Sequence, residues 1–309
     1  MDLFQKKDIK VMLISEEKEA FDDKNYIYEL KLDGIRCLAY IDKNSVDLRN
    51  KRNDKVLFRY PELADIYKQL NCNNAIFDGE LFILKDNKTD FYEMQRRSLM
   101  SDKFKIELAT KNLPVSFSAF DILYKDNQQL TDIPLIERKG ILQNSIKEND
   151  RISITRYIET EGKKLFELTT KNKLEGIVAK KKDSKYYFGK RTKDWIKIKN
   201  YEDDDFVICG YIEKEANITS IIVAKYNQQN KLIYKGHVTL GVSNQSLKII
   251  KSQEILSAPL FDTKDNTIWI VPNLVCTVKY MHKTESGGIR QPVFKGLSEK
   301  SPYECKIKE

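Results

Sequence analysis

Residues 28–41 read YELKLDGIRCLAYI. Tyr28, Leu30 and Leu32 alternate with Glu29, Lys31 and Asp33, the period-two pattern of a half-buried strand. Its polar face carries two carboxylates around one lysine, and Gly34, Arg36 and a second apolar run from Ile35 to Ile41 follow at once. Taken alone, the stretch fits a solvated sheet face with an ion pair, since surface ion pairs are common and contribute little. The rest of the chain separates that reading from a functional one.

Outward from this stretch the texture repeats. YIYELKL, IRCLAYI, AIFDGELFIL, VSFSAFDILY and GIVAK read as short strands. Helical patterns lie between them in YPELADIYKQL and IPLIERKGILQNSI, the latter with Pro134 at a helix start. The mixture predicts an α+β domain with mixed or antiparallel sheets. Near residue 200 the pattern changes. The acidic NYEDDD precedes FVICGYI, and the strand-like SIIVAKY, KLIYKGHV, TIWIVP and VCTVKYM follow, with one helical piece near SNQSLKIIKSQEIL. A first domain over 1–200 and a small all-β barrel over 201–309 are expected, with a hinge at Tyr201–Asp205.

Composition sets the outer bounds. The chain has 309 residues, 41% hydrophobic and 10% aromatic, which excludes wholesale disorder. The formal charge is +8, of which residues 1–200 carry +7 and residues 201–309 carry +1. That bias suits a polyanionic partner, although both signs are interspersed. The 5 cysteines form no CxxC pair, and neither His237 nor His282 stands at ligand spacing from one, so no structural zinc is expected. Scattered cysteines fit a reducing compartment. MDLFQKKDIK lacks the apolar run of a signal peptide, and TIWIVPNLVCTV is too short for a membrane span and contains Pro272. A soluble cytoplasmic protein is expected.

Several charged residues sit in apolar surroundings. Glu80 ends AIFDGE and is followed by LFIL; Glu175 opens EGIVAK and Lys180 closes it. Lys197 and Lys199 alternate with Ile196 and Ile198 in WIKIKN and so share one face of a strand. Each segment alone is a sheet with one wet face. Four of them in one domain supply a nucleophile, carboxylates and cations, the inventory for handling a nucleoside triphosphate with a divalent metal.

In this order the segments resemble the motifs of the covalent nucleotidyltransferases, which include ATP-dependent DNA ligases, RNA ligases and mRNA capping enzymes. KLDGIR (31–36) matches KxDGxR; FDGE ends at Glu80, SAFDILY surrounds Phe120, EGIVAK starts at Glu175 and WIKIK ends at Lys199. GGIRQPVFKGL (287–297) resembles the end of a DNA ligase OB domain. The resemblance runs from about residue 11 to the last ten residues and is to a compact ATP-dependent DNA ligase of bacterial or phage type. It implies a nucleotidyltransferase (adenylation) domain followed by an OB-fold barrel, with ATP and Mg²⁺ (or Mn²⁺) as cofactors.

The resemblance also implies roles. Lys31 attacks the α-phosphorus of ATP to give a lysyl–AMP phosphoramidate. A lysine amine of ordinary pKa, about 10.4, is protonated near neutrality, so its surroundings must favour the neutral form. Partial burial, Lys197, Lys199 and a metal would act in that direction. Asp33 orients the loop, Glu29 meets the adenine amino group, Phe120 stacks on adenine, and Arg36 contacts a nucleotide or DNA phosphate. From spacing alone Phe120 fits a core position equally well. Glu80 and Glu175 serve the ribose hydroxyls and the metal, for which oxygen ligands are suited. Lys197 and Lys199 hold the α-phosphate as pyrophosphate leaves. Arg52 is the best match for a further phosphate contact, with Arg49 and Lys51 as alternatives. Arg191 meets the 5′-phosphate of a nick, and Arg290 and Lys300 are further DNA-binding positions.

At the end of the chain GLSEKSPYEC is one residue short of the family pattern. Ser298 stands where an arginine is usual, Glu299 where an acid is, and Lys300 supplies the lysine. Weakened self-adenylylation is expected, with later steps less affected. The implied partner is nicked duplex DNA, bound by a monomer chiefly through phosphates, in the cytoplasm and associated with the nucleoid. An RNA ligase or capping-type enzyme using the same lysine is the nearest rival, and WIKIK and RQPVFKG weigh against it. A catalytically idle nucleic-acid-binding relative is the other; the presence of Lys31, Glu80, Glu175, Lys197 and Lys199 weighs against that. An NAD⁺-dependent ligase is disfavoured by the short segment before Lys31 and the missing zinc cysteines.

Overall fold

A computed structural model describes residues 2–86, 88–214, 218–263, 265–284 and 287–307. Two compact units divide the chain, Met1–Asn200 and Tyr201–Glu309.

The first unit is built on two sheets. One has the strand order Leu13–Glu17, Arg191–Lys199, Gly176–Lys181, Tyr26–Leu30, Tyr157–Glu159, with the first pair parallel and the others antiparallel. The other runs Ile152–Ile154, Ser116–Lys125, Asn74–Phe82, Ile35–Asp42, Val46–Asn50, again with one parallel pair at its edge. Ile27 and Trp195 from the first sheet meet Leu38, Tyr40, Ile76 and Leu123 from the second in a buried cluster. Tyr28, Ile177 and Ile198 on the opposite face pack under Leu165 and Phe166 of the helix Gly162–Lys171. Each such side chain contributes on the order of 1.5–3 kcal/mol on burial.

The stretch 28–41 therefore crosses from one sheet to the other. Its first strand ends at Leu30, so Lys31 follows the strand, although its N–H still donates to Gly176 O at 2.9 Å. The simple alternation fails here. Leu30 is 39% exposed and Glu29 only 2%, because the face bearing Glu29 looks at the second sheet rather than at water. Gly34 makes the crossover feasible: a Cβ there would stand 2.2 Å from Leu81 O and 2.9 Å from Glu80 Cγ.

Other segments also depart from expectation. YPELADIYKQL, with the three residues before it, folds as three 3₁₀ turns, Leu57–Arg59, Pro61–Leu63 and Ile66–Gln69. Its buried residues Tyr60, Leu63 and Ile66 recur every third position, which suits three residues per turn. Helices Phe91–Ser98 and Lys103–Asn112 begin at Asp90 and Asp102, whose carboxylates accept from Glu93 N–H and Lys105 N–H at 2.9 and 2.8 Å. The helix Leu135–Ser145 follows Pro134 as expected.

The second unit is a five-stranded, wholly antiparallel sheet with the order Leu232–Val238, Thr219–Tyr226, Glu202–Glu213, Ile268–Tyr280, Val293–Ser298. Both faces are buried, one under Phe206, Val223 and Val278, the other under Val207, Ile222 and Trp269. With the helix Asn244–Lys251, this is an OB-fold. The acidic run expected to be a hinge is mostly strand: Glu202–Asp205 pair with Thr277–Tyr280. TIWIVP and VCTVKYM join into one strand, with Pro272 inside a register break between Trp269 and Leu274. Among the described residues no helix is long and apolar enough to cross a membrane.

Candidate active site

Between the two sheets of the first unit lies a cleft of about 310 Å³. Lys31 stands at the crossover on its wall, with Nζ 2.9 Å from Glu175 Oε1. The backbone there is pinched between strands. Gly176 takes φ +136°, and a Cβ at that position would meet Ile198 O at 2.2 Å. A side chain at Gly176 would therefore push the Lys31 segment from the strand that carries Lys197 and Lys199.

Two carboxylates flank the amine, Glu175 buried and Glu80 half-buried. Burial pushes Glu80 up to about 8, with Lys31 and Arg36 opposing the shift and Glu175 adding to it. Burial also raises Glu175, against the pull of Lys31. Glu175 Oε1 is committed to Lys31, whereas its Oε2 is buried with no hydrogen-bond partner. On the same side, burial lowers Lys199, opposed by Glu175 and reinforced by Lys31. No cluster of three or more metal-ligating side chains occurs among the described residues. Two acidic groups with one orphaned oxygen nevertheless fit a hard cation that takes its remaining oxygens from phosphates and water.

Arg36 and Glu29 define the far end. Arg36 makes a bidentate pair with Asp78, Nε to Oδ1 at 2.9 Å and Nη2 to Oδ2 at 2.5 Å. Tyr186 donates to Asp78 Oδ2 at 2.6 Å and accepts from Met12 N–H at 3.1 Å, which fixes the carboxylate. The guanidinium lies 5.3 Å from the Phe120 ring centre and 5.9 Å from Trp195. Glu29, wholly enclosed, pairs with two lysines: Lys180 Nζ is 2.7 Å from its Oε2, and Lys139 touches its Oε1. Lys180 Nζ also stands 4.2 Å over both the Phe120 and the Trp195 rings. Burial brings this amine down to about 8, against Glu29 and with help from Lys139.

Of the residues expected from sequence, Glu29, Lys31, Arg36, Glu80, Phe120, Arg191 and Lys197 line the cleft. Glu175 reaches it through Lys31. Arg191 lines it with its guanidinium donating to Ile14 O at 2.8 Å. Arg52 does not line it. It is exposed on a turn in which Asn50 Oδ1 accepts from Arg52 N–H and Asp54 N–H, and the neighbouring Lys51 faces the cleft instead. Arg49 is occupied by Asp47, Nη2 to Oδ2 at 3.2 Å. Arg290 and Lys300 belong to the second unit, where Lys300 Nζ pairs with Asp205 Oδ2 at 2.5 Å and Arg290 O accepts from Met281 N–H at 3.0 Å. Asp78, Tyr186, Trp195 and Lys139 complete the site without having been assigned from sequence, and Lys51, named there as an alternative to Arg52, is the one of the three that lines the cleft. Asp78 and Trp195 lay inside FDGE and WIKIK; Lys139, mid-helix among polar neighbours, gave no signal.

Residues 9–199 match the model of the ATP dependent DNA ligase domain, and residues 214–301 that of the ATP dependent DNA ligase C terminal region. The chain belongs to the ATP-dependent DNA ligase family. Its members are enzymes, and the match favours a DNA ligase over an RNA ligase or capping enzyme. The chain is 29% identical over 286 residues to the SPbeta prophage-derived DNA ligase-like protein LigB of Bacillus subtilis, covering 93% of this chain and 97% of that one. It is 30% identical over 298 residues to a DNA ligase of Thermococcus fumicolans, covering 90% and 53%. With the multifunctional non-homologous end joining protein LigD of Pseudomonas aeruginosa it shares 29% over 294 residues, covering 90% and 34%. The chain thus spans nearly all of the first relative and about half or less of the other two. Among solved structures, Lig E DNA ligase gives a TM-score of 0.63 at 19% identity over 93% of this chain and 98% of that one. The ligase domain of M. tuberculosis LigD gives 0.57 at 24% over 98% and 99%. Both are likenesses of fold.

Proposed function

We propose that this ligase seals nicks between a 5′-phosphate and a 3′-hydroxyl in duplex DNA, through AMP carried on Lys31. The observation that supports this most strongly is the lysine amine at the sheet crossover, paired with Glu175 and with the half-buried Glu80 close by. In the first step Lys31 Nζ forms a bond to the α-phosphorus of ATP and the bond to pyrophosphate breaks. The amine must first lose a proton, and Glu175 Oε1, at 2.9 Å, is placed to take it. AMP then passes to the 5′-phosphate of the nick, giving a pyrophosphate linkage and freeing Lys31. Attack by the adjacent 3′-hydroxyl joins the strand and releases AMP.

The other residues act by position and charge. Phe120 and Glu29 receive the face and amino edge of adenine. Arg36, braced by Asp78, and Lys51 in place of Arg52 meet phosphate or sugar oxygens. Lys197 and Lys199 take the α-phosphate charge as it develops. Glu80 and Glu175 would hold Mg²⁺ or Mn²⁺, which supplies neutralisation of phosphate charge when bound. Arg191 serves the 5′-phosphate of the nick, and Arg290 and Lys300 contribute from the OB-fold. The enzyme works as a monomer on nicked DNA in the cytoplasm.

Incubation with labelled ATP and Mg²⁺, followed by denaturing electrophoresis and a chase with nicked DNA, tests the reading. Label should attach to the protein and leave it on the chase, with ATP preferred to GTP and nicked DNA to nicked RNA. A protein that never takes label, or passes it to RNA alone, would refute it.

A further inference from the structure

Glu29 is paired with two ammonium groups where one would balance it, and all three side chains are buried. Burying a second cation on one carboxylate is costly, so a structure that keeps it has a use for both. The two lysines are not equivalent. Lys180 lines the cleft and has the faces of Phe120 and Trp195 at 4.2 Å. Lys139 comes from the helix Leu135–Ser145, does not line the cleft, and has the Tyr157 ring, at 5.7 Å, as its further partner among the described residues.

The difference matters once a base enters. A base stacked on Phe120 with its amino group at Glu29 seeks the space that Lys180 Nζ fills, 2.7 Å from the carboxylate and 4.2 Å above the ring. Lys180 must yield one or both contacts, while Lys139, behind the carboxylate, keeps its own. We propose that Lys139 is a positioning residue: the permanent counter-ion that holds the Glu29 carboxylate in place for the amino edge of adenine while Lys180 gives way. The inference rests on the assignment of Glu29 and Phe120 to the base in the proposed function. Without Lys139, Lys180 would be the sole counter-ion of Glu29, and the base would have to displace it at the cost of a buried, unpaired carboxylate.

The test uses the full chain and two nucleotides, ATP and purine riboside triphosphate, which lacks the 6-amino group. Lys139→Met should raise KM for ATP about tenfold in the adenylylation assay while changing the rate at saturating ATP less than about twofold. The preference for ATP over the analogue should shrink about tenfold, and Lys139→Arg should restore much of it. General loosening of the helix would weaken both nucleotides alike and leave the preference intact. Glu29→Gln is the control for the underlying assignment. If it leaves the preference unchanged, Glu29 does not read the base and the inference falls with that reading. If Glu29→Gln collapses the preference and a folded Lys139→Met does not, the inference alone is wrong. Should Lys139→Met fail to fold, Lys139→Gln replaces it with the same expectations.

Discussion

Glu80 shows how one residue links the chemistry of the cleft to the stability of the protein. Its carboxyl is raised from 4.5 to about 8 by burial, with Lys31 and Arg36 only partly offsetting the effect. A cation at this position competes with that proton. The Mg²⁺ concentration giving half-maximal adenylylation should therefore fall by up to about tenfold per pH unit below about 8 and level off above it. A requirement that is flat with pH would contradict the assignment. The same shift bears on folding. The folded value lies above the unfolded one, so the protonated form favours the fold; its stabilisation is full below about 4.5 and is lost as pH rises through about 8. Glu80→Gln, neutral throughout, should match the parent in thermal melts near pH 4 to 5 and exceed it at pH 8, while adenylylation drops sharply. Glu175→Ala should impair both adenylylation and sealing, because Lys31 loses its partner and the site loses an oxygen pair; normal turnover at limiting Mg²⁺ would refute that role.

At the scale of elements, the crossover between the two sheets is the feature on which the site depends. Gly34→Ala would set a methyl group 2.2 Å from Leu81 O, a backbone atom that cannot swing aside. The variant should lose about 2 kcal/mol or more of stability and most adenylylation, both readable by denaturant melts and adduct formation. A variant with unaltered melting and activity would show that the crossover tolerates movement. Period-two patterns and motif order disclosed most strands of both units and most cleft residues. They disclosed them through local signals: Lys197 sits in a run whose alternation is visible without a partner, and Lys31 and Glu80 stand out as charges beside apolar runs. What they missed depends on which face meets which. Glu29 has the pattern of a wet residue and is buried, because the second sheet covers its face. Arg52 and Lys51 are adjacent on one turn, and only the path of the turn decides which side chain enters the cleft. Tyr60, Leu63 and Ile66 have a helix-like density of apolar residues, yet their spacing of three belongs to 3₁₀ turns.

For the whole molecule, adduct formation on Lys31 in the first unit is expected to draw on the tail of the second. The OB-fold tail lacks an arginine at Ser298, and Lys300, paired with Asp205 at 2.5 Å, offers a point charge without an arginine's fork geometry. Lys300→Ala, or removal of residues 298–309, should slow adduct formation from ATP while sparing the sealing of a nick that already carries 5′-adenylate, from which no pyrophosphate leaves. Single-turnover assays on the two substrates separate these steps, and equal losses in both would mean that the tail acts through folding or DNA binding. The central claim is that AMP travels on Lys31. Its most direct measurement is peptide mapping of the protein after brief incubation with ATP and Mg²⁺. AMP should be found on the peptide containing Lys31, in phosphoramidate linkage, and should vanish in both Lys31→Ala and Lys31→Arg, since a guanidinium stays protonated. AMP on another lysine such as Lys197, or an adduct that persists in Lys31→Ala, would contradict the account.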